Sequence, residues 1–196
     1  ERHMAIRFQQ LNPGGCRTYL VGKQRVKEVA LIDPVLDRLD IYLMFIRKEN
    51  LKLTTVIDTH THADHITAGP ALRDLTGCEY VMHAAAPAGC VSKRLSDGQL
   101  FRFAGIEARV LHTPGHSNDS VCLVLPDRIF TGDTLFLDDG GAGRDDLPGG
   151  DAGAHWDSLQ KILQLPEQLN VYPAHEYRKR RPSNLGIQKK SNPHLR

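Results

Sequence analysis

The sequence predicts an α/β fold in which strands and helices alternate along the chain. Runs rich in Val, Ile, Leu and Thr recur between turn-forming Gly, Pro and Asp residues, for example at 29–32, 53–57 and 106–111. Segments with apolar residues at helical spacing lie between these runs, for example at 39–49 and 151–165. Strands mixed with helices at this spacing favour two sheets covered by helices.

The composition is that of an ordinary globular domain. The chain has 196 residues, of which 40% are hydrophobic and 24% charged, enough to bury a substantial core in a single domain over residues 4–196. Its formal charge of +2 gives no reason to expect nucleic acid or an anionic membrane as the main partner. Glu1-Arg2-His3 precede Met4 and are interpreted as residues added ahead of the natural start.

Nothing in the sequence indicates export or membrane insertion. The longest strongly apolar run, 41–46, is far too short to span a bilayer, and the N-terminal residues lack a signal-peptide pattern. The four cysteines are widely spaced and form no CxxC pair, as expected of free thiols in a reducing compartment. The cytoplasm is therefore the expected location.

The elements of the first half follow from its turn residues and apolar spacing. Asn12-Pro13-Gly14-Gly15 is a strong turn, so the apolar runs on both sides of it are predicted to be short strands. In order, the predicted elements are strands at 6–11, 18–21 and 29–32, a helix at 39–49, a strand at 53–57 and a helix at 66–75 that ends near Gly77.

The second half repeats this logic without repeating the sequence. Ala104-Gly105 and Pro126-Asp127 each separate two apolar runs and predict tight turns. In order, the predicted elements are strands at 79–82, 101–103, 106–111, 121–125 and 128–130, a helix at 151–165 and a strand at 169–172.

A cluster of metal-binding residue types follows the strand at 53–57. The segment Thr59-His60-Thr61-His62-Ala63-Asp64-His65 places three histidines and a carboxylate within a few positions. Imidazole and carboxylate groups are preferred ligands of Zn²⁺ and Fe²⁺. Three more strands are followed by residues of these types, in TPGH at 113–116, TGD at 131–133 and PAHE at 173–176. Four such motifs in a fixed order predict a metal site.

The order HTHADH, TPGH, TGD and PAHEY resembles the metallo-β-lactamase superfamily. That resemblance implies an αββα sandwich, two mixed sheets flanked by helices, with the metal site at one edge. Asp33-Pro34-Val35, the longer motif HTHADHITAG and the chain length resemble the persulfide dioxygenases, also called sulfur dioxygenases. Glyoxalase II, a thioester hydrolase, is a near relative of these enzymes.

The resemblance, and not the spacing, assigns one Fe(II) per chain to His60, His116 and Asp133. Four further residues match side chains that complete a two-metal site in the hydrolases and orient the ligands in the dioxygenases: His62, Asp64, His65 and His175. The implied reaction oxidises a thiol persulfide, usually glutathione persulfide, with O₂ to sulfite and thiol. The alternative is a hydrolase with zinc or a mixed dinuclear site. A homodimer and a functional link to a rhodanese are the implied protein partners.

Two regions bear on the choice between the reactions. Glyoxalase II has a long helical C-terminal extension, whereas 196 − 175 = 21 residues follow His175 here, which favours the dioxygenase unless the chain is truncated. The loop at 140–146 matches the family's GCGRTD segment, with Ala142 in place of the cysteine. Arg144 and Asp146 therefore match residues near the thiol substrate, as does Tyr177, although a flexible connection and a packed tyrosine remain alternatives. The altered loop puts glutathione in doubt more than iron.

Other polar residues receive simpler interpretations. His112 is expected to be a packed histidine at a strand end, and His83 and His155 to be surface or structural residues. The basic run 178–181 is expected to be a solvated tail or an anion-binding rim rather than a nucleic-acid site. A metal-binding domain without catalysis is a further alternative, and O₂ uptake with a persulfide would distinguish it from an enzyme.

Overall fold

The computed structural model describes residues 5–196, so the interpretation of residues 1–3 and the start of the domain at residue 4 lie outside the described part of the chain. The first of its two sheets has six strands in sequential order: β1 (Ile6–Gln10), β2 (Tyr19–Lys23), β3 (Glu28–Ile32), β4 (Lys52–Ile57), β5 (Glu79–His83) and β6 (Lys93–Leu95). Strands β1, β2 and β3 pair antiparallel, and β3 to β6 pair parallel.

The second sheet comes from the second half of the chain. Its strands are β7 (Leu100–Phe103), β8 (Ile106–His112), β9 (Val121–Val124), β10 (Arg128–Gly132) and β11 (Asn170–Pro173), in the spatial order β11-β10-β9-β8-β7. All neighbours pair antiparallel except β10 and β11, which are parallel. Both sheets are therefore mixed.

Four helices cover the outer faces of the two sheets: α1 (Leu39–Lys48), α2 (Gly69–Thr76), α3 (Ala152–Leu163) and α4 (Leu185–Ser191). Alternate residues of a strand point to opposite faces of its sheet. In β2, Tyr19 and Val21 belong to the core between the sheets, whereas Leu20 packs with the residues under α1 and α2. A third apolar cluster, which includes Ile129 and Leu159, joins the second sheet to α3 and α4. These layers confirm the predicted αββα sandwich.

Local sequence explains several element boundaries. Helix α2 ends at Gly77, which takes the left-handed conformation (φ 74°) that glycine adopts without steric cost. Helix α3 begins after Asp151, whose side chain accepts a hydrogen bond from the amide of Ala154 at 2.8 Å. Ala104 and Gly105 both have positive φ, as a two-residue hairpin turn requires, and they join β7 to β8 as predicted.

Three features differ from the predicted elements. Helix α2 begins at Gly69 rather than at residue 66, because the backbone of the preceding residues bonds to another loop. The carbonyl of Ile66 accepts from Leu36, and the amide of Ala68 donates to Pro34. Strand β6 has only three residues and helix α4 only seven, and neither was predicted, since such short segments show no clear apolar period.

The two sheets are tied directly at the edge where the HTHADH loop lies. The amide of Val121 in β9 donates to the carbonyl of Thr59 at 2.9 Å. The buried carboxylate of Asp119 accepts from the amide of Thr61 at 3.0 Å and from its hydroxyl at 2.6 Å. The edge of the sandwich is thus closed by hydrogen bonds between protein groups.

No helix within residues 5–196 is both long and apolar enough to cross a membrane. The four cysteines, all in the described part of the chain, are free thiols, with Cys78 and Cys122 buried and Cys16 and Cys90 partly exposed.

Candidate metal centre

The polar residues that follow four strands meet at one edge of the sandwich. His60 follows β4 of the first sheet, whereas His116, Asp133 and His175 follow β8, β10 and β11 of the second sheet. Residues placed just past the ends of strands can approach one another closely where two sheets meet. The site is therefore assembled from both halves of the chain.

His60, His116 and Asp133 form a compact buried group. The Nε2 atoms of His60 and His116 lie 3.4 Å and 3.3 Å from Oδ2 of Asp133, and one donor atom from each residue lies within 4.8 Å of the other two. Nε2 of His60 is buried without a hydrogen-bond partner. A buried nitrogen without a partner is costly in an apo site and is the atom expected to bind an ion.

Hydrogen bonds on the far side of each ring fix which nitrogen faces the group. The Nδ1–H of His116 donates to the carbonyl of Arg144 at 2.6 Å. The hydroxyl of Thr59 donates to Asp33, so its oxygen is left to accept from Nδ1–H of His60 at 2.9 Å. Both rings consequently direct an Nε2 lone pair toward the Asp133 carboxylate, and three acceptors converge with no hydrogen between them. A cation bound between the three acceptors would offset the repulsion between their lone pairs.

The charge state of the group also suits a cation. Burial alone would raise the pKa of Asp133, but His60 and His175 lower it well below its usual range. Burial lowers the pKa of His116, which favours the neutral imidazole that binds metals. A carboxylate with neutral imidazoles is a ligand set for Fe²⁺ or Zn²⁺.

Two glycines allow the backbone to approach this group. Gly132, at the end of β10, has φ 53°, and a Cβ there would lie 2.8 Å from the hydroxyl oxygen of Thr59. A Cβ on Gly143 would lie 2.3 Å from the carbonyl oxygen of Asp133 and 3.0 Å from Nδ1 of His116. Side chains at these positions would displace the residues that form the site.

His62 packs beside His60, with ring centroids 4.2 Å apart, but its Nε2 is directed at two other carboxylates. Its Nε2 lies 3.1 Å from Oδ1 of Asp33 and 3.5 Å from Oδ1 of Asp58, and all three side chains are buried. Burial would lower the pKa of His62, but the two carboxylates raise it well above its usual value. Asp58 is held in turn by the hydroxyl of Tyr80 at 2.6 Å. The other ring nitrogen, Nδ1 of His62, is buried without a partner.

The remaining residues of the HTHADH motif form a second cluster with His175. Oδ2 of Asp64 lies 2.8 Å from Nε2 of His175 and 3.2 Å from Nδ1 of His65. Nδ1 of His175 lies 2.6 Å from Oδ1 of Asp133, so the two oxygens of Asp133 face different clusters. Burial would lower the pKa of His175, but Asp133 and Asp64 raise it well above its usual value.

Cys16 completes this second cluster and was not identified from the sequence. Its Sγ lies 3.5 Å from Oδ2 of Asp64 and 3.8 Å from Nδ1 of His65. Hydrogen bonds with His175 and His65 lower the pKa of the thiol to about 7. Asp33, Asp58 and Asp119 were likewise not predicted to have these roles, although the first two directly follow apolar strands.

A cavity of about 400 Å³ lies over the site and is lined by two residues of the three-residue group, His116 and Asp133, but not by His60. Its other lining includes Phe136, Leu147, Arg144 and Tyr177. Tyr177 is 70% exposed, and its ring stacks on His175 with centroids 5.7 Å apart. A small substrate can therefore reach the site from this side.

Arg144 and Asp146 pair with each other at the rim of the cavity. Nε and Nη2 of Arg144 donate to the two carboxylate oxygens of Asp146 at 2.7 Å and 2.9 Å, a bidentate geometry. Both side chains are about two-thirds exposed, at 64% and 66%. Arg144 lowers the pKa of Asp146 to about 2. The positive charge of Arg144 is thus partly neutralised by Asp146 before any substrate binds.

The other histidines have structural positions. His83 and His112 stack with their ring centroids 3.9 Å apart, and neither belongs to a metal-binding group among the described residues. His155 is buried, and its Nε2–H donates to the carbonyl of Thr134 at 2.7 Å. His155 also packs against Gly115, beside His116.

The basic run 178–181 is only partly a solvated tail. Arg180 has just 14% of its side chain exposed, and it donates to Asp139 at 2.6 Å and to Glu176 at 2.9 Å. Arg178 is 75% exposed and lies 3.7 Å from Asp139. The expectation of a solvated tail is therefore wrong for Arg180, which fastens this segment to the loop before α3.

Comparisons with known proteins agree on one family. The metallo-beta-lactamase superfamily model matches residues 11–88 and 91–175. The crystal structure of ETHE1 from Myxococcus xanthus is 39% identical, with a TM-score of 0.89 over 95% of this chain and 83% of that chain. The mitochondrial persulfide dioxygenase ETHE1 of Homo sapiens is 35% identical over 95% of this chain and 74% of its own length.

A third relative is longer. The beta-lactamase hydrolase-like protein of Xylella fastidiosa (strain 9a5c) is 34% identical over 90% of this chain, but the match covers 49% of the relative. This chain thus spans about half the length of the curated relative. The family match extends over most of the chain and includes every residue of the three-residue group. The chain belongs to the metallo-beta-lactamase superfamily, whose fold binds metal ions.

Proposed function

We propose that the chain is a persulfide dioxygenase that uses one Fe(II), held by His60, His116 and Asp133, to oxidise a thiol persulfide with O₂ to sulfite and thiol. The observation that carries this proposal is that His60 and His116 share the carboxylate of Asp133, whereas His62 belongs to a different group of side chains. Two imidazoles and one carboxylate converge, whereas His62 is held by Asp33 at 3.1 Å. Two histidines and one carboxylate on one face of an ion form the facial triad of non-haem Fe(II) oxygenases.

The named relatives favour the same activity. Proteins called persulfide dioxygenase and ETHE1 match nearly the whole described chain at 35% and 39% identity. Because the chain spans about half of another relative, the position of Arg196 does not discriminate between a dioxygenase and a longer hydrolase.

Bound Fe(II) would supply the chemistry with O₂ that amino-acid side chains lack. The residues of the chain position and shield the reactants. His175 donates to Oδ1 of Asp133, which keeps Oδ2 directed toward His60 and His116. Phe136 and Leu147 line the cavity with apolar surface that displaces water from the reacting sulfur.

The rim of the cavity would hold the carrier of the persulfide. Arg144 presents a planar guanidinium that suits carboxylate recognition, and Tyr177 offers an exposed ring. Glutathione, which has two carboxylates, is the proposed carrier. The Arg144–Asp146 ion pair would have to open or rotate for a substrate carboxylate to bind Arg144 in two places.

A second candidate is a dinuclear thioester hydrolase of the glyoxalase II type. The observation that favours it is the cluster of Asp64, His65 and His175, together with the buried and unpartnered Nδ1 of His62. Rotation of these side chains would provide donors for another ion. A two-metal site would lower the pKa of bound water to about 7 and give a hydroxide nucleophile.

Metal analysis of protein purified without air distinguishes the two candidates. The dioxygenase should contain about one iron per chain and should consume O₂ with glutathione persulfide. His116→Ala should lose the iron, whereas Asp64→Ala is the matched variant expected to retain it. Two ions per chain, rapid hydrolysis of a glutathione thioester and no O₂ uptake would establish the hydrolase instead. Bound metal with neither activity would indicate a binding domain.

A further inference from the structure

The position of Cys16 is fixed by backbone contacts with the segment that contains His175. Cys16 and His175 form an isolated antiparallel bridge. On either side of it, the amide of Arg17 donates to Ala174 at 2.8 Å and the amide of Glu176 donates to Gly15 at 2.9 Å. The thiol therefore has a defined place beside the second cluster, although it lies in an otherwise irregular turn.

The groups around this thiol resemble those of an activated nucleophile. One donor atom from each of Cys16, Asp64, His65 and His175 lies within 4.8 Å of the others. His175 is oriented by the 2.6 Å contact between its Nδ1 and Oδ1 of Asp133. A thiol near an imidazole that a carboxylate holds in place is the arrangement of covalent cysteine catalysis.

Cys16 also lies beside the cavity, although its own side chain is not part of the lining. The thiol is partly exposed, and its neighbours Asp64, His175 and Tyr177 line the 400 Å³ cavity. Cys122 and Cys78 are buried. Cys90 is partly exposed like Cys16, but it packs with the apolar cluster under α1 and α2.

We propose that Cys16 accepts the outer sulfur of the persulfide substrate, an inference that rests on the proposed function. Sγ of Cys16 supplies the electron pair for a new S–S bond to the outer sulfur. The S–S bond of the carrier breaks, and its electron pair leaves with the carrier sulfur, which takes the thiol hydrogen of Cys16. The products are the carrier thiol and a Cys16 persulfide, so atoms, protons and electrons balance without an added oxidant.

This step makes the identity of the carrier less important. Only the S–S end of the substrate must reach Cys16, and the carrier leaves as a free thiol. Such tolerance agrees with the rim of the cavity, where Arg144 is paired with Asp146 and must leave that pair before it binds a carrier. Glutathione and coenzyme A persulfides should therefore both transfer sulfur to Cys16.

The test uses the iron-loaded protein without O₂, treated briefly with glutathione persulfide or coenzyme A persulfide. The cysteines are then alkylated, and mass spectrometry of the peptides shows which cysteine carries an additional sulfur atom. We expect that sulfur on Cys16 with both carriers. Cys90→Ser should leave the Cys16 label unchanged, and Cys16→Ser should lose the label without a gain at Cys90.

The Cys90 comparison excludes simple exposure as the cause. Equal labelling of Cys16 and Cys90, or an unlabelled Cys16, would overturn the proposal. O₂ uptake by the same preparations tests the proposed function separately. Rapid uptake by Cys16→Ser, at the wild-type rate, would refute sulfur transfer and leave the dioxygenase standing. A labelled Cys16 in a protein that consumes no O₂ would support sulfur transfer and refute the dioxygenase.

Discussion

Replacement of Asp33 by Asn should test how Asp33 holds Nε2 of His62 outside the three-residue group. Asp33 is 3% exposed, and its carboxylate has three contacts. It accepts from the amide and the hydroxyl of Thr59, both at 2.8 Å, and lies 3.1 Å from Nε2 of His62. An Asn side chain with its oxygen in the place of Oδ1 can keep the contacts with the Thr59 amide and with His62. Its NH₂ group would then face the Thr59 hydroxyl, which donates to Oδ2 of Asp33.

The expected loss of stability follows from the lost contact and from the removed charge. A hydrogen bond to a charged group contributes about 1.5 kcal/mol, and each of the two retained bonds should weaken by about 0.5 kcal/mol without the charge, so the fold should lose about 2.5 kcal/mol. At about 2–4 °C per kcal/mol for a chain of this size, Tm should fall by about 5–10 °C. The iron content should fall less than when a ligand is removed, since Asp33 acts through Thr59 and His62.

Thermal unfolding of metal-free protein, with iron analysis of the loaded protein, measures both effects. Asp40→Asn is the control, because Asp40 is an exposed carboxylate on α1. If the Tm of Asp33→Asn equals that of Asp40→Asn, the contacts of Asp33 do not stabilise the fold as argued. If Asp33→Asn retains no iron, the contacts of Asp33 with Thr59 and His62 are required for the ion and not only for the fold.

Four further substitutions test residues of the site and one structural histidine. Asp133→Ala should abolish iron retention, measured by metal analysis. His65→Ala should reduce iron affinity or activity by only about 10–100-fold. Equal iron loss in the two variants would make His65 a ligand. Arg144→Ala should raise KM for glutathione persulfide with kcat and iron content nearly unchanged; a selective fall in kcat would exclude a role limited to binding. Burial and the adjacent His112 lower the pKa of His83, so the folded state prefers the neutral ring. That contribution is complete above about pH 6.5 and is lost as the pH falls through the lowered folded pKa. His83→Phe should reduce the pH dependence of the free energy of unfolding, measured with urea. An unchanged pH dependence would contradict this role of His83.

The sequence was sufficient to predict most of the sandwich because local patterns determine most of its elements. Strand β3 is apolar after its first residue and β4 is rich in β-branched residues, and each lies between two other strands of the first sheet. The hairpin at Ala104-Gly105 and the start of α3 at Asp151 depend on residues close in sequence. The short β6 lacks such a pattern, since only Leu95 of its three residues is buried.

The candidate site was only partly predictable because several of its contacts join distant segments. The HTHADH motif identified His62, but the direction of its Nε2 depends on Asp33, which lies in another loop. Cys16 approaches His175 only after the first turn pairs with the segment following β11. A single cysteine in a turn has no motif of its own, so no sequence pattern distinguishes Cys16 from Cys90.

The hydrogen bonds that close the edge of the sandwich have a consequence for removal of the metal. Val121 and Thr59 join the sheets through the backbone, and Asp119 holds Thr61 without any ion. A small zinc domain folds only when the ion binds, because its binding free energy is its folding free energy. Here a chelator should yield a folded apoprotein, with near-native circular dichroism, that regains its ion without refolding. The donors are already assembled, so little of the affinity for the ion is spent on ordering the chain.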